Sequence, residues 1–227
     1  MDPDKTIRYT TILLALTAGY CDTVTFIAAD QLFSAHVTGN FIVMAYDIVK
    51  NANFQAWVKL STFPVFVASV IAGGYISARS SNKYLLLLIE GALLTLIGIA
   101  DFGLRYFGTR SLQWQDYTLA LFIVLAMGLQ NAFGKIFSKE TFGPTTMMTG
   151  NVTQAALDLG SIIFGTAVNT GVTTSFKHQL TTILGFLFGC IAGGFIAEAI
   201  GLAAVVIPGL ALFAFSVKCY AQKVLTV

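Results

Sequence analysis

The chain is poor in charge. Of its 227 residues only 11% are Asp, Glu, Lys or Arg, and 56% are hydrophobic. That balance excludes an ordinary water-soluble domain. Cysteine is also scarce. Cys21, Cys190 and Cys219 lie far apart with no CxxC or Cys/His spacing, which argues against a disulfide framework or a zinc site. The formal net charge of +2 is dispersed, so no basic block points to nucleic acid. No Walker loop, HExxH or GxSxG occurs, and no His/Glu cluster or nucleophile–base pair stands out. No cofactor and no enzymatic activity are therefore expected. The first apolar run is longer than a signal-peptide core and no small-x-small cleavage site follows it, so it reads as retained.

What the chain has in abundance is long apolar runs. They predict an all-α, polytopic transmembrane helix bundle whose first partner is the lipid bilayer. Helices are expected at 7–29 (a), 40–49 (b), 57–78 (c), 84–104 (d), 117–137 (a′), 151–164 (b′), 179–199 (c′) and 202–220 (d′). Pro64 should disturb c locally, and Pro208-Gly209 should interrupt d′. The polar connection 105–116 divides the chain into two halves, 1–110 and 111–227.

The halves repeat one another. His36-Val37-Thr38-Gly39-Asn40 recurs as Met147-Met148-Thr149-Gly150-Asn151, and in both copies six residues separate the Asn from an aspartate, Asp47 or Asp158. Gly19-x-x-Asp22 matches Gly128-x-x-Asn131. Ile71-Ala72-Gly73-Gly74 matches Ile191-Ala192-Gly193-Gly194. Helices b and b′ are shorter than the ~20 residues a span needs. If they do not cross, six long spans form two inverted halves; if they cross, eight spans form two parallel halves. Either count places nine of the thirteen Lys and Arg on one side and puts the N-terminus in the cytoplasm. The shortness of b and b′ favours six spans plus two short interrupted helices.

Helix starts at membrane depth leave unpaired N–H groups, and secondary transporters use such ends at a midplane site. The candidate binding residues are accordingly Thr38, Gly39, Asn40, Thr149, Gly150 and Asn151, with Asp22, Gln130 and Asn131 from helices a and a′. The plainer alternative is that each Asn caps its helix and each Gly eases packing. Asp22, an ionisable group inside a span, is the candidate for ion coupling, with Asp47 and Asp158 beside it. Asp22 equally suits an interhelical hydrogen bond, and Asp47 and Asp158 suit the solvated ends of short helices, where Lys50 offers Asp47 a partner. His36 lacks a counterpart, since Met147 takes its place. The Gly185-x3-Gly189-x3-Gly193 face reads as helix packing.

Taken together, Gly19-Tyr20-Cys21-Asp22, Phe33-Ser34-Ala35-His36-Val37-Thr38-Gly39-Asn40, Met127-Gly128-Leu129-Gln130-Asn131-Ala132 and Thr146-Met147-Met148-Thr149-Gly150-Asn151 resemble the YoaK-like family of bacterial membrane proteins. The resemblance covers nearly the whole chain. It implies a multi-pass protein of the bacterial inner (cell) membrane and supplies neither substrate nor site. The functional expectation is a secondary transporter or carrier for a small polar solute. A membrane protein that binds or senses such a solute without moving it is the alternative.

Overall fold

A computed structural model describes residues 3–50, 55–108, 113–165 and 171–224. These form eight helices: α1 (Pro3–Ala28), α2 (Gly39–Lys50), α3 (Gln55–Arg79), α4 (Leu85–Tyr106), α5 (Gln113–Ile136), α6 (Met148–Ile163), α7 (Gly171–Ile200) and α8 (Val206–Val224). Single 3-10 turns lie at Ser138–Glu140 and Gly201–Val205. Five helical segments are long and apolar enough to cross a membrane: Asp4–Ala28, Ala56–Arg79, Leu85–Tyr106, Trp114–Ile136 and the 51-residue Gly171–Ala221, which holds both α7 and α8. Large apolar side chains such as Phe195 (78% exposed) and Ile71 (67%) face outward along these segments. On a multi-pass membrane protein such a surface meets lipid.

Small residues set the helix pairings. A Cβ on Gly189 would collide with the Leu16 carbonyl, and one on Gly193 would lie 2.7 Å from the Tyr20 carbonyl. With Gly185 against Ile12 and Ala15, the contacts climb both helices together, so α1 and α7 run parallel. The pairing of α3 with α5 is also parallel: Gly128 abuts Ser69, and Gly73 abuts Ala132. The pairing of α4 with α8 is antiparallel, because Gly91 faces Phe213 whereas Gly98 faces Val206. Helices α1 and α5 also run antiparallel. Gln130 reaches the Leu14 carbonyl near one end of the pair, and Tyr117 reaches Asp30 near the other.

Three features depart from the sequence reading. The predicted loop over 167–178 is helical from Gly171 onward; residues 166–170 lie outside the described residues. The break expected at Pro208-Gly209 falls earlier, at Gly201 (φ 61°). There Asp101 accepts the Ala203 N–H (2.7 Å) and the Arg105 Nε–H (2.8 Å), which fixes the turn. Pro208 is then left in the first turn of α8, where a missing N–H costs nothing. Helix α3 runs unbroken through Pro64.

The close approach of α7 to α1 is directly testable. Gly189→Ala should lower the detergent-solubilised melting temperature by an amount equivalent to about 1–3 kcal/mol, the usual cost of overpacking. Gly74→Ala, which meets open space, should leave it unchanged.

Candidate functional site

Beyond α1 the chain turns back on itself. Asp30 and Gln31 adopt left-handed backbone angles (φ 54° and 60°), and this brings residues 33–36 alongside α1 at the level of Asp22. Backbone here has no helical partners, and at this depth it needs side chains to satisfy it. Asp22 supplies one set of contacts. Its Oδ1 accepts the Ala35 N–H (2.5 Å), the His36 N–H (3.3 Å) and the Ser34 hydroxyl (3.4 Å), and its Oδ2 lies 2.5 Å from His36 Nδ1. Asn40 supplies the other. Its Oδ1 accepts the Phe33 N–H (2.8 Å), and its Nδ2 donates to the Phe33 carbonyl (2.8 Å) and to Thr62 Oγ1 (3.0 Å). Asn40 is fully buried and does not cap α2; it clasps the loop seven residues upstream.

A second loop, between α5 and α6, is also held by buried side chains. Asn131 Oδ1 accepts the Thr146 hydroxyl (2.7 Å), and Gln130 Nε2 donates to Thr145 Oγ1 (3.1 Å) and to the Leu14 carbonyl (2.9 Å). Asn151 donates to the carbonyl of Pro144, again seven residues upstream (2.7 Å). Thr11 Oγ1 of α1 accepts the Phe142 N–H (2.9 Å).

Each loop borders a cavity. The first, about 410 Å³, is lined by Asp22, Thr23, Phe26, Phe33, His36, Phe186 and Cys190. Three phenyl rings form its walls, and its polar groups are confined to Asp22, Thr23 and His36. The second, about 220 Å³, is lined by polar groups that include Gln130, Asn131, Lys135, Thr145 and Thr146. The two share no lining residue. One loop is fastened to α1 at Asp22 and the other at Thr11 and Leu14, so they lie towards opposite ends of that helix.

The sequence-predicted residues therefore divide. Asp22 lines the first cavity, Gln130 and Asn131 the second. Asn40 and Asn151 hold the loops that shape them. Thr38, Thr149 and Gly150 are exposed and line neither cavity. Gly39 lets the Phe33 ring approach, at 3.0 Å from where a Cβ would stand. Asp47 pairs with buried Lys59, not Lys50, and Lys59 also binds Asp30 (3.1 Å), which accepts the Tyr117 hydroxyl (3.0 Å). Asp158 is buried, with Oδ1 accepting from Gln154 Nε2 (2.8 Å). Phe186 and Cys190 carried no sequence signal. Lys59 did carry one, being a lone charge in an apolar run. Among the described residues no three His, Cys, Asp or Glu side chains converge as metal ligands.

The His36 pKa is raised from its ordinary 6.5. The hydrogen bond to Asp22 stabilises the imidazolium more than partial burial opposes it. A raised folded-state pKa contributes stability that is complete below about 6.5 and is lost as pH rises through the raised value. The wild-type melting temperature should fall across that window, and His36→Gln should flatten the dependence; superimposable pH curves would contradict this. Asp22→Ala strands several buried donors at about 1–3 kcal/mol each. It should lower the melting temperature and open residues 29–38 to limited proteolysis.

The profile of a family described as a protein of unknown function (DUF1275) matches residues 10–217. The chain is also similar to the UPF0700 transmembrane protein YoaK of Bacillus subtilis (strain 168), being 23% identical over 175 residues, which cover 76% of this chain and 71% of that protein. No solved structure matches.

Proposed function

The chain belongs to the DUF1275 family, whose function is unknown, and from its own geometry we propose that it is a small-solute carrier of the cell membrane. The observation that carries this reading is the pair of folded-back loops, each beside a cavity, fastened towards opposite ends of α1. In this account α1–α4 and α5–α8 are two inverted copies of one unit. The pairing of α1 with α7 mirrors that of α5 with α3, and α4 meets α8 across the centre.

Helix directions support six spans. A 51-residue helical segment is about 75 Å long, more than twice the ~30 Å hydrocarbon core, so α7 and α8 are separate crossings. With α1 and α7 parallel, α3 and α5 parallel, and α4 antiparallel to α8, the six long helices alternate in direction and α2 and α6 do not cross. Eight alternating spans would make α4 and α8 parallel. The N-terminal side then carries Arg79, Lys83, Lys135, Lys139 and Lys177, and the positive-inside rule favours the cytoplasm for it.

The larger cavity is the solute site. Its phenyl walls and single polar edge suit a small solute with an apolar body and one polar or ionisable group, which Asp22 and His36 orient. Asn40 and Asn151 keep the two loops in shape. No catalytic step is assigned to any residue.

A thermal-shift screen followed by proteoliposome uptake tests the proposal. A solute that binds the native protein raises its melting temperature by mass action. It should be accumulated by wild-type proteoliposomes, and its shift should fall at least tenfold in apparent affinity in folded Phe186→Ala. Binding indifferent to Phe186→Ala would contradict the site. Binding without uptake would favour the sensing alternative.

A further inference from the structure

Among the described residues one buried carboxyl group has no polar partner. Glu90 lies in α4, one residue before the glycine that packs against Phe213 of α8. It is 0% exposed, and neither carboxyl oxygen has a hydrogen-bond partner. Among the described residues it makes no ion pair, in contrast to Asp22, Asp47 and Asp101, each of which is paired.

Other unpartnered polar atoms lie along the helices that share this buried cluster. Leu14, Leu87 and Leu212 belong to one buried cluster, and the Gln130 amide reaches the Leu14 carbonyl. Thr17 is three residues from Leu14, Glu90 three from Leu87, and Ser216 four from Leu212. Each is therefore about one helical turn, along its own helix, from a member of that cluster. Thr17 Oγ1, Gln130 Oε1 and Ser216 Oγ are buried and unpartnered as well. The polar groups beside this cluster are neutral: Thr17 on α1, Gln130 on α5 and Ser216 on α8. Cys21 lies one turn beyond Thr17 on α1. Asp22 lies beyond Cys21. The charged residues flanking α4 are occupied elsewhere, Lys83 with Glu140 and Arg105 with Asp101.

An unpaired carboxylate in such surroundings is far costlier than the neutral acid. The arrangement is thus accommodated with its proton on. A permanently neutral residue would be served as well by Gln or Leu. An acid differs in being able to release its proton when the bundle rearranges and admits water.

We propose that Glu90 is a proton-binding site, loaded from water on one side of the membrane and discharged to water on the other. This rests on the carrier reading, in which it supplies the coupling ion. The step is a plain ionisation: the carboxylic O–H breaks heterolytically, water takes the proton, and the carboxylate regains a proton from water on the opposite side.

The test needs no solute. Infrared difference spectra of the protein in liposomes, recorded between acid and alkaline buffers, should show the C=O band of a protonated carboxylic acid. The band should shift in D2O, disappear at alkaline pH, vanish in Glu90→Gln and persist in Glu198→Gln. In parallel, a lipid-soluble carbodiimide should label wild-type Glu90, detected by peptide mass, with labelling falling at least tenfold from acid to alkaline buffer. The second measurement stands even if Glu90→Gln fails to fold. A band or a labelling yield that ignores pH, or no labelling of Glu90, would overturn the proposal. Discharge of the band by sodium ions at constant pH would overturn it in favour of a metal-cation site. Failure of Phe186→Ala to weaken solute binding would count against the cavity assignment and leave these results intact.

Discussion

The carboxylate of Asp22 and the carboxamide of Asn40 close around a stretch of backbone that has no helix to satisfy it. The rest of the first half depends on this. An interior loop in a membrane protein is tolerable only when its N–H and C=O groups find partners. Residues 33–36 find theirs in two side chains contributed by the helices on either side. In the second half Asn151 and Thr11 meet loop backbone at Pro144 and Phe142, while Asn131 and Gln130 hold the Thr146 and Thr145 hydroxyls. Because the fastenings are buried and local, the loops take defined shapes, and a cavity is left beside each.

The second constraint is how closely the long helices approach. Glycines at 185, 189 and 193 bring α7 onto the backbone of α1, while Gly91, Gly98 and Gly209 do the same for α4 and α8. In lipid, where burial of apolar surface gives no drive to pack helices, such backbone proximity holds a bundle together. Those contacts also record helix direction. Parallel α1/α7 and α3/α5 with antiparallel α4/α8 are the directions expected of two like units turned over with respect to one another, the arrangement proposed above. The acid at Glu90 lies in the middle of this framework, on the α4/α8 pairing.

Much of the architecture was legible in the sequence because apolar length and glycine spacing are one-dimensional signals. The long helices, the short α2 and α6, and the packing face of α7 could all be read there. The Thr-Gly-Asn segments were recognisable as special for a sound reason, namely that polar residues recur at one spacing. The role of their Asn was not legible. Asn at a helix start reads as a cap, and only the folded-back loop shows that its partner is seven residues upstream. The meeting of Asp22 with His36, and of Lys59 with Asp30 and Asp47, depends on reversals at Asp30 and Gln31, which non-glycine residues seldom signal. Phe186 reaches the first cavity only because α7 lies beside α1, a long-range pairing with no local trace. The early start of α7 has no clear signal in the sequence, because a Thr-rich run has the composition of a loop.

The central claim is that the two loops belong to opposite faces of the membrane. In a variant lacking the native cysteines, Thr38→Cys and Thr149→Cys each place one thiol at an exposed position beside a loop. Labelling by a membrane-impermeant maleimide, compared in right-side-out and inverted vesicles, reads the side directly. The account predicts that Thr38→Cys labels from the outside and Thr149→Cys from the cytoplasmic side. Labelling of both from the same side would contradict the inverted arrangement and favour two parallel halves.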